Sequence, residues 1–125
     1  MVAGLSILVV DDEFDIAELV AELLAAHAHQ VATASNGLLA RELLATHAYD
    51  LVITDFMMPI VDGLALVQGM RGEARLARIP VIMISARREL PEGVYPGLVQ
   101  ATLRKPFSPR LLYATIAQVM SVPPS

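Results

Sequence analysis

The chain contains no cysteine, which removes disulfide frameworks and thiolate metal sites from consideration and leaves the redox compartment unread. It also lacks any apolar run approaching the roughly 18 uninterrupted residues that a spanning helix needs. Charge, Gly, Pro or His breaks every candidate, so no membrane association is expected despite 55% hydrophobic residues and a mean hydropathy of +0.57. Basic clusters are missing too. A formal net charge of −4 and a pI near 5.2 disfavour a nucleic-acid surface, which carries grouped Lys and Arg. Met1-Val-Ala-Gly-Leu5 brings no positively charged leader ahead of the first apolar run, so no secretory signal is expected and the cytoplasm is the default location.

What is present fits 125 residues folded around one core. The apolar surplus sits in short runs, Ile7-Leu-Val-Val10, Leu51-Val-Ile53 and Val81-Ile-Met-Ile84, the signature of strands buried on both faces of a parallel sheet. From Phe14 the period becomes helical, with Ile16, Leu19, Val20, Leu23 and Leu24 on one face. A second strand is expected near Gln30 to Ala34. An Asn36-Gly37 turn and a helix turning Ala40, Leu43 and Leu44 inward follow, then a third strand from Asp50 to Thr54. Pro59 and Gly63 mark a loop before a helix from about Leu64 to Arg71.

Pro80 opens the fourth strand, and a short fifth lies near Ala101 to Arg104. Ser108-Pro109 starts a last helix by the cap-then-proline rule, with Leu111, Leu112, Thr115, Ile116 and Val119 as its periodic face. Strands alternating with helices imply an α/β fold, a parallel sheet covered on both sides. The crossover from Arg87 to Gln100 departs from that pattern: Pro91, Gly93, Pro96 and Gly97 leave room for only a short or irregular helix. Residues 1–121 make one domain, and 122–125 read as a tail or linker stub.

Polar groups just past the carboxyl ends of parallel strands meet in one crevice. Here they are Asp11, Asp12, Asp55, Ser85 and Lys105. Each alone has an ordinary explanation: Asp11 and Asp12 cap the first helix, Asp55 begins a loop, Lys105 pairs with it. Together, after four of five strands, they make a site. Three converging carboxylates repel one another unless a hard cation joins them, and oxygen-only ligation selects magnesium or a relative.

Val9-Val-Asp-Asp-Glu13, Thr54-Asp-Phe-Met-Met-Pro59 with Asp62-Gly63, Ile84-Ser-Ala86 and Lys105-Pro-Phe107 resemble, in order and spacing, the signatures of response-regulator receiver domains of two-component signalling. The resemblance spans nearly the whole chain. It implies a flavodoxin-like fold of five parallel strands in the order 2-1-3-4-5. It also implies Asp55 as phosphoacceptor, Asp12 and Asp55 as Mg2+ ligands with Asp11 acting through water, and the Met57 main-chain carbonyl as a further ligand. Ser85 becomes the switch hydroxyl and Lys105 the phosphate-binding lysine. The implied partners are a sensor histidine kinase or phosphotransfer protein and a downstream protein target; no oligomeric state follows.

Chemistry agrees with those roles. An ionised carboxylate needs no general base to attack a phosphohistidine, so positioning and charge neutralisation supply the catalysis.

Two positions depart from the family pattern. Thr102 stands where receivers carry an aromatic residue three before the lysine, and the proline-rich crossover replaces a regular helix. Arg87, two residues beyond Ser85, is either half of a solvated pair with Arg88 or a modulator at the mouth of the crevice. His27, His29 and His47 have no ligand spacing and read as surface or capping residues, and Met57 and Met58 as packing. Two other functions compete. A phosphohydrolase of the haloacid-dehalogenase kind resembles Asp-x-Asp at the nucleophile, but Met57 stands at the second acid. A degenerate receiver would signal by binding alone, which the intact Asp11, Asp12, Asp55 and Lys105 argue against.

Overall fold

A computed structural model describes residues 4–56, 58, 61–85 and 98–121. Its elements run β1 (Ser6–Val10), α1 (Phe14–Ala25), β2 (Gln30–Ala34), α2 (Gly37–Thr46), β3 (Leu51–Asp55), α3 (Gly63–Arg71), β4 (Val81–Ser85), β5 (Ala101–Arg104) and α4 (Pro109–Ser121). All strand pairs are parallel, as the sequence pattern predicts, and their order is β2-β1-β3-β4-β5, as the family resemblance implies. Of the crossover from Arg87 to Gln100, where at most a short or irregular helix is expected, residues 87–97 lie outside the described residues, as does the expected tail at 122–125.

Period-2 alternation divides the strand residues between two cores. Ile7, Val9, Ile53, Ile82, Ile84 and Leu103 face α1 and α4, while Leu8, Val10, Val52, Val81 and Met83 face α2 and α3. Both sides being covered, and with the buried Thr54 hydroxyl satisfied on the Asp55 carbonyl, β1, β3 and β4 are otherwise apolar between their first and last residues. Their burial is nearly complete. No helix among the described residues is long and apolar enough to cross a membrane.

The helix starts follow local chemistry. The Asn36 side chain accepts from the Leu39 N–H at 2.9 Å, Asp62 from Ala65 at 2.8 Å and Ser108 from Leu111 at 3.1 Å, each satisfying one of the first-turn donors. α1 is different: its N-cap is Glu13, which makes no side-chain cap bond. Asp11 and Asp12 therefore do not cap the helix in the usual way, and Asp12 accepts no hydrogen bond among the described residues.

The predicted helical faces are too wide. Leu19 is 52% exposed and Leu111 48%, whereas Ala17, Val20 and Leu24 on α1 and Leu112, Ile116 and Val119 on α4 are buried. Each outlier lies one residue, or about 100° around the helix, from the centre of the stripe that meets the sheet. His29 also corrects the expectation of a surface role. It is 9% exposed, and its Nδ1 accepts from the Leu5 N–H at 3.2 Å.

α1 ends in a Schellman arrangement, with His29 N–H donating to the Leu24 carbonyl at 3.3 Å and Ala28 N–H to Ala25 at 3.0 Å. This requires the left-handed region at Ala28, whose φ is +65°, a conformation in which a Cβ costs roughly 1–2 kcal/mol. Ala28→Gly should therefore stabilise the fold by about 0.5–1 kcal/mol, after the greater freedom of glycine in the unfolded chain is subtracted. Ala28→Val should destabilise it. Chemical denaturation of the two variants checks both signs.

Candidate functional site

Because all five strands run the same way, the residues that end them share one edge. Register sets Val10 beside Thr54, Asp55 beside Ile84 and Ser85 beside Arg104, so Asp11, Asp55, Ser85 and Lys105 stand in a row across four strands. Main-chain bonds lock the row: Asp11 N–H to Ala34 C=O (3.0 Å), Phe56 N–H to Ile84 C=O (2.8 Å) and Lys105 N–H to Ser85 C=O (2.8 Å). The Lys105–Pro106 peptide is cis.

Carboxylate oxygens of Asp11, Asp12 and Asp55 lie within 4.8 Å of one another. Asp11 and Asp55 are buried and Asp12 is exposed, so the cluster has an interior wall and an open side. Lys105 Nζ bridges it, 3.1 Å from Asp11 Oδ2, 3.5 Å from Asp55 Oδ2 and 3.4 Å from Glu13 Oε1. Lys105 is the chain's sole lysine. One ammonium against three carboxylates leaves the crevice negative before Glu13 is counted.

Burial, and after it the charge of Asp11, push the Asp55 carboxyl from 3.8 up to about 6; Lys105 opposes the rise and Asp12 adds to it. Burial would lower the Lys105 ammonium, but its hydrogen bond to Asp11 and the charges of Asp11, Asp55 and Glu13 outweigh that and hold it above its ordinary value. Asp55 thus titrates just below neutrality. At pH 7 and above it is mostly the carboxylate.

The backbone around Asp55 is held from behind. Gly63, the first residue of α3, donates its N–H to the Phe56 carbonyl at 3.0 Å, and a Cβ built on it would lie 2.2 Å from the Asp55 carbonyl oxygen. Only glycine permits that approach. Asp62, by capping α3, fixes the turn that brings Gly63 there. Thr54 Oγ1 donates to the same Asp55 carbonyl at 3.0 Å.

Of the residues predicted from the sequence, Asp11, Asp12, Asp55 and Lys105 are brought together, and Ser85 is buried at the end of the neighbouring strand β4. Thr102 is exposed on β5, paired with Met83. Met57 and Arg87 lie outside the described residues. Glu13 was missed as a contributor: the sequence places it beside the acidic pair, but only the structure turns its carboxylate to Lys105.

The chain matches the family model of the response regulator receiver domain over residues 7–117. It is 38% identical over 119 residues to the transcriptional regulatory protein GltR of Pseudomonas aeruginosa, covering 94% of this chain and 49% of that protein. The chain spans about half the length of the curated relatives it matches. The chemotaxis protein CheY4 of Vibrio cholerae has a similar structure, with a TM-score of 0.86 at 28% identity over 94% of this chain and 99% of that one. The receiver domain of sensor histidine kinase PA1611 from P. aeruginosa, solved with magnesium in its active-site cleft, gives a TM-score of 0.86 at 21% identity, covering 96% and 100%. At that identity the likeness is one of fold.

A carboxyl raised from 3.8 to about 6 favours the fold while it is protonated; that contribution is full below about pH 4 and lost as pH rises through 6. Asp55→Asn keeps the shape without the charge. In EDTA at pH 7.5 the variant should be more stable than the parent by the order of 1–3 kcal/mol, the size of a shift of this kind, and the gap should narrow toward pH 4.5. Thermal unfolding across that range measures it.

Proposed function

The chain belongs to the response-regulator receiver family, and on that premise we propose that it takes a phosphoryl group from a phosphohistidine onto Asp55 in a magnesium-dependent reaction. The observation that carries the proposal is the position of the Asp55 carboxylate, which shares one crevice with two further carboxylates and a single ammonium. This set fits Mg2+. Its donors are hard oxygens, its charge is negative, Asp55 is unsettled by burial and by Asp11, and Asp12 is exposed with no hydrogen bond of its own among the described residues. Asp12 and Asp55 would hold the ion, with Asp11 acting through water, and when bound it would neutralise the carboxylates and the incoming phosphoryl oxygens.

The remaining work falls to the chain. An ionised Asp55 oxygen forms the new bond to phosphorus as the bond from phosphorus to the donor's imidazole nitrogen breaks, and the electron pair leaves with the imidazole. No proton need be removed from the nucleophile, so catalysis rests on alignment and charge. Lys105 meets a phosphoryl oxygen as a compact charge. Ser85, at the end of β4, donates to another, and its displacement begins the switch that a partner reads. Gly63 and Asp62 keep the Asp55 backbone from retreating.

On this reading the protein catalyses only its own phosphorylation and dephosphorylation, works in the cytoplasm, and exchanges with a histidine kinase or phosphotransfer protein on one side and a protein target on the other. The family match disfavours the phosphohydrolase alternative, and the complete acid and lysine set disfavours the phosphorylation-independent one.

Incubation with acetyl phosphate and Mg2+ should add about 80 Da, the mass of one phosphoryl unit, to the intact protein, and Asp55→Asn should remove the adduct. An adduct that survives in the variant would falsify the assignment. Mg2+ should also raise the melting temperature by linkage, and Asp12→Ala should lose most of that rise. Equal responses in the two proteins would show that Asp12 is not a ligand.

A further inference from the structure

Between the end of α1, the start of β2 and the outer side of α4 lies a cleft of about 390 Å³, within the size range of small-molecule sites. Tyr113, Ile116 and Ala117 line it with apolar surface. The Tyr113 hydroxyl is engaged, donating to the Leu23 carbonyl at 3.1 Å, and its ring lies 4.0 Å from that of His27. The two rings pack against each other along one side of the cleft.

His29 is the uncommon feature of this cleft. It is more than nine-tenths buried, and its Nδ1 accepts a backbone N–H. A main-chain N–H can only donate, so Nδ1 carries no proton and Nε2 does. Burial, and then the neighbouring His27, lower the basicity of the ring and keep it in that neutral form. The Nε2–H has no protein acceptor among the described residues. It is also not sealed away: no buried side-chain nitrogen or oxygen is left without a partner, so this nitrogen reaches open space, and the ring lines the cleft.

Arg110 supplies positive charge at the same place. It stands in the first turn of α4, which contains no acidic residue and already carries the positive end of the helix dipole. No carboxylate pairs with it among the described residues, where all ion pairs involve Lys105.

We propose that this cleft binds a small aromatic monocarboxylate, its ring against Tyr113, Ile116 and Ala117 and its carboxylate held by His29 Nε2–H and Arg110. The anion answers the unused donor of a largely buried ring and an unpaired guanidinium, a charge-assisted combination, and the ring answers the apolar wall. An uncharged ligand would leave Arg110 as it is, and an inorganic anion would leave the apolar wall wet. The inference stands apart from phosphorylation at Asp55, since no cleft residue belongs to that site.

The test uses phenylacetate as probe and phenylacetamide as its neutral counterpart, added to the full chain without phosphoryl donor or Mg2+ and followed by amide NMR. Phenylacetate should give saturable shifts at His29, Tyr113 and Ala117 with a Kd of about 1 mM or below. Phenylacetamide should bind at least about tenfold more weakly, the worth of one charge-assisted contact. Arg110→Met should weaken phenylacetate by a similar factor. Ala117→Phe, a change at an exposed helix position, should fill the cleft and abolish binding while leaving the rest of the spectrum intact. Absence of saturable shifts, equal affinity for the amide, or undiminished binding in Ala117→Phe would each overturn the proposal.

Discussion

The ammonium of Lys105 stands between carboxylates that burial and parallel pairing have forced into one crevice. Asp11 and Asp55 are both nearly closed to solvent, and like charges at such separations repel strongly where water does not screen them. Lys105 offsets only part of this. The remainder is visible in the raised Asp55 carboxyl, so the fold holds one of its carboxylates in readiness for a positive partner.

What keeps that arrangement from relaxing is backbone, not side chain. Asp55 is the last residue of a strand buried on both faces, its carbonyl faces the start of α3 at the distance only Gly63 allows, and the next amide is tied to β4. Lys105 is fixed in turn by its main-chain bond to Ser85. The groups proposed to meet a phosphoryl oxygen, Ser85 and Lys105, are thus carried by adjacent strands of one ladder. This is pre-organisation of the kind that positioning catalysis requires.

The cleft beside α1 and α4 follows a different logic. Its polar atoms are few and its walls are apolar, and what marks it is one buried imidazole whose second nitrogen the fold leaves unused. That imidazole exists in its place because the chain leaves α1 through a left-handed turn at Ala28 and delivers His29 to the N–H of Leu5. The backbone at a residue with no special turn propensity thus sets where one lining residue of the cleft lies.

Much of this was legible in the residues. Continuous apolar runs marked the strands, helical periods marked the helices, and the polar residue following each run marked the acid cluster, because side-chain alternation and helical period are local consequences of the chain. Other features were hidden. Leu19 and Leu111 share the helical period of their neighbours yet lie outside the contact, since a period marks a face but not how much of it the sheet covers. Ala28 carries no sign of its positive φ, and Glu13 none of its reach to Lys105. The sequence by itself determined which elements form, in what order, and which chemical groups end them. Only the tertiary structure decided distances and partners: Lys105 and Asp11, 94 residues apart, meet at 3.1 Å because the crossovers bring β1, β3, β4 and β5 side by side in one register, and no local interaction encodes that separation.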